Sequence, residues 1–343
     1  MDKSRVKSIL LISLSNLGDI VLTTPVLRKL HDEFPDAVID VVTGMPGRDI
    51  FLAHPAVRKV IINKRRKTLR SRLLDVLLIR RQKYDLVVDL KNSLMPYVAG
   101  ARYGTRSLSS FLGGIKRLSS GVTAHKRTEH LAKLRTLGID AERDVGFYVP
   151  VSEEDARQAE SLIVEAERTL GPGVQRDRIV VINPGTKNHL KKWKASNYAK
   201  LSDMLSGEKD CIVFLTGTDE DRQTVNDVIA ATKRPVLDVC SRTTIGCAAG
   251  LMARACMVIT GDSAPLHIAS AVGTPTVAIF GPTDEKKYGP LAEKSVVLNP
   301  RIGCRPCGKG SCQKRPPDGC INDVTVEEVY RAAEKILEGT EWE

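Results

Sequence analysis

Aromatic residues are scarce: Phe, Trp and Tyr make up 4% of the 343 residues, within a composition otherwise typical of a soluble globular chain. No apolar run approaches the roughly 20 residues that a membrane-spanning helix needs. The stretch Ile9 to Leu14 is too short, is followed by polar residues and lacks a signal-peptide cleavage pattern. A cytoplasmic protein is therefore expected. The GxxxxGK[ST] spacing of a P-loop is absent. No Ser/His/Asp, HExxH or DxD constellation stands out, and His31, His54 and His125 have no partner residues of note.

What is present is basic. The formal net charge is +11, and it is uneven. Met1 to Glu165 holds 28 Lys+Arg against 19 Asp+Glu, and the remainder 24 against 22. Between Arg58 and Arg81 ten basic residues meet only Asp75. Such a patch attracts phosphate-rich partners, whether nucleic acid, anionic membrane or anionic glycolipid, or else serves as a solvated surface. Eight cysteines fall into two sets. Cys211, Cys240, Cys247 and Cys256 lie scattered in apolar segments and read as core. Cys304, Cys307, Cys312 and Cys320 form C-x2-C-x4-C-x7-C, more compressed than the usual two-knuckle zinc pattern. A structural zinc and a reduced, packed cysteine knot both fit a cytoplasmic chain. Lys309, Lys314 and Arg315 inside the run bring a nucleic-acid-binding knuckle into consideration, whereas Asp318 offers no catalytic hint.

The chain alternates strand and helix. Strands are expected at Lys7–Ser13, Val38–Thr43, Val57–Ile62 and Leu86–Leu90. Helices are expected at Ile20–Phe34, Leu69–Arg81 and His130–Leu137, with Leu69, Leu73, Val76 and Leu77 on one face of the second. His130 opens a helix in the basic half, on the side facing the cleft in this reading. Gly100 to Thr128 reads as irregular. A helix with an acidic start runs from Ser152 to about Leu170, and Gly171-Pro172-Gly173 marks the domain boundary. Strands then recur at Ile179–Asn183, Cys211–Thr216, Pro235–Asp238, Met257–Thr260, Thr276–Phe280 and Ser295–Leu298. Ser196–Leu205, Arg222–Thr232 and Val326–Leu337 read as helices. Two successive βαβ series give two doubly wound α/β domains, 1–172 and 173–325. A last helical segment, 326–343, is expected to pack back on the first domain. A cleft is expected between the carboxyl edges of the two sheets.

The stretch Gly261 to Pro290 organises the second half. Asp262-Ser263 follows a short strand as an N-cap pair, Pro265 suits a first helical turn, and Ala264 to Val272 is a small-residue helix ended by Gly273. A helix N-terminus offers free N–H groups and a positive dipole end, which suits a phosphate, and His267 lies one turn in. Asn183-Pro184-Gly185-Thr186, followed by Lys187, Lys191, Lys192 and Lys194, reads either as a diphosphate cradle or as an exposed lysine-rich loop. Trp193 anchors it and favours the cradle. After Gly217 the acids Asp219, Glu220 and Asp221 either bind ribose hydroxyls or start the next helix. Asp19, after Gly18, reads either as an N-cap carboxylate or as a general base on a substrate hydroxyl, two roles that can coexist.

These residues carry a resemblance. SLSNLGDIVLTTPVLRKLHDEFP, INPGTKNHLKKW and GDSAPLHIASAVGTPTVAIFGPTD resemble three motifs of glycosyltransferase family 9, in order and at fitting separations over residues 6 to 338. The compressed cysteine run before a last helix also resembles some members. The resemblance implies a GT-B fold, with acceptor on the first domain and donor on the second. It implies inverting, metal-independent transfer of heptose from ADP-heptose to the lipid A–Kdo inner core of lipopolysaccharide. Asp19 takes the base position and Lys191 the position of the lysine on the donor diphosphate. Gly185 and Thr186 line the same loop. Asp221 takes the ribose position, with Glu220 as the alternative one residue away. Asp262, Ser263, Ala264, Pro265 and His267 take the motif around the diphosphate and heptose. The anionic acceptor accounts for the basic first half, and Leu69–Arg81 would meet the inner leaflet, making the enzyme peripheral to the membrane. Another nucleotide sugar, a non-catalytic nucleotide-sugar-binding protein and a basic metal-knuckle nucleic-acid binder are the competing readings. The last leaves Gly261–Pro290 unexplained, so no nucleic-acid partner is expected. Two departures from the family pattern are Lys194, where proline usually follows tryptophan, and Ala264, where glycine is common.

Overall fold

The computed structural model describes residues 2–63, 76–93, 95–105, 124–140, 145–171, 175–308, 311–312 and 319–339. Expectations for 69–75, most of 100–128, Pro172-Gly173, Lys309, Lys314, Arg315 and Asp318 fall outside these. The chain divides into two compact units, Met1–Pro150 and Val151–Glu343.

Continuous apolar runs make the strands, because both faces of a parallel sheet are covered. The first sheet contains β1 (Ser8–Ile12), β2 (Val38–Thr43), β3 (Val57–Ile62), β4 (Leu86–Asp89) and β5 (Tyr103–Gly104), in the order β3-β2-β1-β4-β5, all parallel. The second contains β6 (Ile179–Asn183), β7 (Ile212–Leu215), β8 (Leu237–Asp238), β9 (Met257–Gly261), β10 (Thr276–Ile279) and β11 (Val296–Leu298). Its order is β11-β10-β9-β6-β7-β8, also parallel. The expected strands are all present, within two residues at either end. In each sheet the strand order reverses beside the first strand, between β1 and β4 and between β6 and β9. Outside the carboxyl ends at such a reversal is where α/β sheets bind ligands.

Two expectations are corrected by packing. The helix Glu153–Leu170 belongs to the second unit, so the division falls before it and not at Gly171–Gly173. Its Asp155 closes a capping box with Ser152 and also accepts from Thr244 Oγ1 at 2.5 Å. An added Cβ on Gly246 would lie 2.3 Å from Asp155 Oδ2, and one on Gly250 would lie 3.4 Å from Ala159 Cβ. These glycines let the helix Ile245–Arg254 lie close against it. The last helix, Val326–Glu338, likewise belongs to the second unit. Val326, Val329, Tyr330, Ala332 and Ala333 join one buried cluster with Trp193 and Tyr198. Sequence spacing missed both because helix amphipathicity says that a face is covered, not what covers it.

In the segment 76–81, which is helical, Ile79 is buried while Leu77 and Leu78 are exposed. Leu77 therefore lies off the apolar face assigned to it. Of the four scattered cysteines, Cys211, Cys240 and Cys247 are buried and Cys256 is half-buried, as read.

Candidate functional site

In the second unit, Asn183 ends β6 and pairs in register with Thr260 of β9, so the loops after both strands leave the sheet side by side. Asn183 Nδ2 donates to Thr216 O at 3.0 Å and ties this edge to β7. The turn His189–Lys191 follows, and Lys191 Nζ reaches Asp262 Oδ2 at 2.5 Å. Asp262 is buried and Lys191 about three-quarters so. An added Cβ on Gly261 would meet Lys191 O at 3.3 Å, so glycine lets the turn rest on the end of β9. Trp193, fully buried, donates its indole N–H to Val324 O at 2.9 Å and meets Tyr198 edge-on at 4.9 Å. The loop is anchored as the tryptophan suggested. Lys194 has the φ of −60° that a proline would have, but its N–H donates to Asn322 Oδ1 at 3.0 Å. That bond accounts for a non-proline here.

The helix Ala264–Val272 begins at the same crevice. Its N-cap, Ser263, is extended and makes no capping bond, and its hydroxyl shares a 3.1 Å hydrogen bond with Thr260 Oγ1. Pro265 brings no N–H, so the first turn keeps its positive end without a capping side chain. Gly273, at φ 80°, ends the helix. His267 is buried within it.

Gly185 and Gly217 exist to admit Asp221. A Cβ on Gly185 would lie 2.3 Å from the Asp221 carboxyl, and one on Gly217 would lie 3.0 Å from Asp221 Cβ. Asp221 Oδ2 accepts from Thr218 N and Thr218 Oγ1, each at 2.9 Å, in a capping box. Asp221 thus starts a helix, beside the Gly185–Thr186 turn. Glu220, one residue earlier, is exposed and pairs with Lys187 at 2.9 Å.

The four clustered cysteines line one cavity of about 250 Å³, together with Leu190, Pro282, Ile302, Gly303, Arg305 and Gly319. Among the described residues no three metal-ligating side chains are gathered closely enough to hold an ion as they stand. The cavity backs onto the donor-like loop through Leu190. Cys307 N and Gly308 N donate to Pro282 O at 3.0 and 2.9 Å, and Arg305 Nε donates to Gly281 O at 2.6 Å.

In the first unit the helix Leu17–Glu33 has Asn16, not Asp19, as its N-cap. Asp19 stands in the first turn, half-buried, with Oδ2 accepting from Asn16 Nδ2 at 3.2 Å. The N-cap reading of Asp19 is thereby replaced, and the carboxylate does not cap the helix backbone. The loop that carries it is fixed by β2: Gly44 N donates to Leu14 O at 3.1 Å, and a Cβ on Gly44 would lie 2.3 Å from Ser15 O.

Across the reversal, after β4, stands a group that no motif pointed to. Buried Asp89 accepts from Lys91 N at 2.8 Å and from Ser93 Oγ at 2.8 Å. Lys133 Nζ donates to Leu90 O at 2.8 Å and Asn92 Oδ1 at 2.7 Å. Lys91 Nζ donates to Ser15 Oγ at 3.0 Å. Burial lowers the pKa of Lys91 by stripping water from its ammonium, against a weaker pull from Asp89. The available signal was Asp89-Leu90-Lys91-Asn92-Ser93 directly after a strand, at the same sheet edge as the Asp19 loop.

A family model described as glycosyltransferase family 9 (heptosyltransferase) matches residues 77–316. Lipopolysaccharide heptosyltransferase 3 of Escherichia coli (strain K12) is 27% identical over 344 residues, covering 93% of this chain and 95% of that protein. The crystal structure of a family 9 glycosyl transferase from Veillonella parvula DSM 2008 superposes with a TM-score of 0.77 at 21% identity, covering 97% of this chain and 98% of that one. The structure of E. coli ADP-heptose lps heptosyltransferase II gives 0.72 at 21% identity, covering 97% and 99%. The two doubly wound units are those of the GT-B fold.

Proposed function

Because the chain belongs to glycosyltransferase family 9, we propose that it moves heptose from ADP-heptose to the lipopolysaccharide inner core with inversion. One observation carries the donor half of this reading. Lys191, held by Asp262, stands at the strand-order reversal beside a helix N-terminus without a side-chain cap. A leaving diphosphate gains charge as the sugar bond breaks. The Lys191 ammonium, the Thr186 and Ser263 hydroxyls and the N–H groups near Ala264 would take up that charge. Asp262 keeps Lys191 aimed and is itself neutralised by it. Ribose hydroxyls are assigned to Asp221, with Glu220, which pairs with Lys187, as the alternative one residue away.

The acceptor belongs to the first unit. Asp19 would take the proton of the attacking hydroxyl, a single displacement that needs no covalent enzyme intermediate. Cys304, Cys307, Cys312 and Cys320 are assigned a structural part behind the donor loop, where a zinc, if held, would act as a buttress. Exposed Leu77, Leu78, Tyr97 and Val98, with exposed Arg80 and Arg81 among them, suit an anionic bilayer surface and support peripheral attachment.

The test is Asp19→Ala assayed with ADP-heptose and a lipid A–Kdo acceptor. Transfer is expected to fall by about 10²- to 10⁴-fold, the usual worth of a general base, while ADP affinity is unchanged. Normal turnover in this variant would remove Asp19 from the role of base.

A further inference from the structure

The reversal between β1 and β4 presents a cation as well as the Asp19 carboxylate. Lys91 bonds the Ser15 hydroxyl, in the same short loop that carries Asp19. We propose that Lys91 binds an anionic group, phosphate or carboxylate, on the sugar acceptor. This rests on the transferase reading and adds the residue that meets the acceptor's charge.

Three observations carry it. The first is position: Ser15 follows β1 and Lys91 follows β4, adjacent parallel strands at the one place where the sheet order reverses. The second is charge. Among the described residues no carboxylate forms an ion pair with Lys91 Nζ, and Asp89 beneath it is engaged by Lys91 N and by Ser93. A half-buried ammonium whose hydrogen bond among the described residues is to a hydroxyl is poorly compensated, and an incoming anion would supply what is missing. The third is rigidity. Lys133 clamps the loop through Leu90 O and Asn92 Oδ1, and Asn92 takes a φ of 56°, so Lys91 projects from a fixed backbone. Depressed basicity agrees with this environment, because burial outweighs Asp89.

A purely supporting role, with Lys91 bracing Ser15, predicts something different. It would alter stability without telling one acceptor anion from another. The experiment is calorimetric binding of the soluble, O-deacylated lipid A–Kdo core to the full-length protein and to Lys91→Met and Lys91→Arg. The core is used intact, enzymatically dephosphorylated, or with its carboxyls amidated. Lys91→Met should weaken binding of the intact core about tenfold or more, the worth of one charge-assisted hydrogen bond, and Lys91→Arg should restore part of it. With the core that lacks the contacted anion, wild type and Lys91→Met should bind alike, which identifies phosphate or carboxylate. Equal binding of the intact core by wild type and Lys91→Met would overturn the proposal. So would an equal loss with all three cores, or failure of the wild type to bind any of them. ADP binding separates the two levels of the argument. If the wild type does not bind ADP the transferase reading fails, while the core comparison still decides Lys91.

Discussion

The two units solve the same geometric problem with opposite electrostatics. Each places a lysine at the point where its strand order reverses. In the second unit Lys191 faces a buried carboxylate at 2.5 Å. In the first unit Lys91 faces a hydroxyl, and its basicity is lowered by burial. His54 and His130 are depressed for the same leading reason. A paired lysine is preorganised, so it can stabilise charge that develops late in a reaction. An underpaired one favours an anion that arrives already charged. The contrast fits a donor site that handles a departing diphosphate and an acceptor site that holds an anionic glycolipid.

The sharpest way to break the comparison is to loosen the loop that holds the paired lysine. Trp193 is fully buried two residues from Lys191 and is bonded to Val324 O. Trp193→Ala should cost about 3–5 kcal/mol of stability, the usual range for a large buried aromatic, read from denaturant midpoints. Donor affinity should fall in the same variant, because Lys191 loses its anchored backbone. A stable Trp193→Ala protein with unchanged ADP affinity would show that the loop does not depend on its anchor.

Next in size is the lysine itself. Lys191→Met removes the cation proposed to meet the diphosphate and leaves Asp262 without its ion-pair partner. Turnover should fall about 10²- to 10³-fold, as when one preorganised donor is removed from a transition state. The double variant Lys191→Met/Asp262→Asn should regain stability but not rate, which separates the cost of an unpaired carboxylate from the loss of catalysis. Equal rates in wild type and Lys191→Met would end the claim that pairing here serves the leaving group.

How much of this was legible beforehand follows from what each signal encodes. Strand positions were readable, because fully covered parallel strands are continuous apolar runs such as Ile179 to Asn183. The strand-to-helix corner after β9 was readable because Asp262-Ser263, Pro265 and Gly273 mark the start and end of a short helix. The roles of Asp19 and Asp221 were ambiguous, since a carboxylate near a helix start looks the same whether it caps or reacts. Only the observed partners separate the cases: Asn16 is the cap before Asp19, whereas Asp221 is bound to Thr218. Lys91 was not legible at all. Its significance depends on Ser15, 76 positions away in the chain and brought close only by the β1–β4 pairing. The unit boundary and the seat of the last helix were missed for a related reason, because Asp155 meets Thr244 and Tyr330 joins Trp193 only in the fold.

The gentlest probe of the comparison is acid, because the units should respond in different windows. His130 is buried in the first unit, and its pKa is lowered to about 4, first by burial and then by Lys133 and Lys126. In the unfolded chain the same imidazole titrates near 6.5. Below that pH the unfolded state takes up a proton that the folded state refuses, so stability falls as pH drops from 6.5 towards 4. The full effect is up to about 3 kcal/mol by linkage, and His130→Leu should remove most of the slope. Glu165 and Glu167 of the second unit move the other way. Their arginine partners hold them below the ordinary 4.5, so the stability they add is lost only as pH falls below that value. Amide exchange measured at pH 7, 5.5 and 4.5 should therefore show the helix Lys126–Arg135 loosening first, while the helix Glu153–Leu170 keeps its protection. Simultaneous loosening of both, or a wild-type slope that survives in His130→Leu, would mean that the burial of His130 does not set the acid response of the first unit.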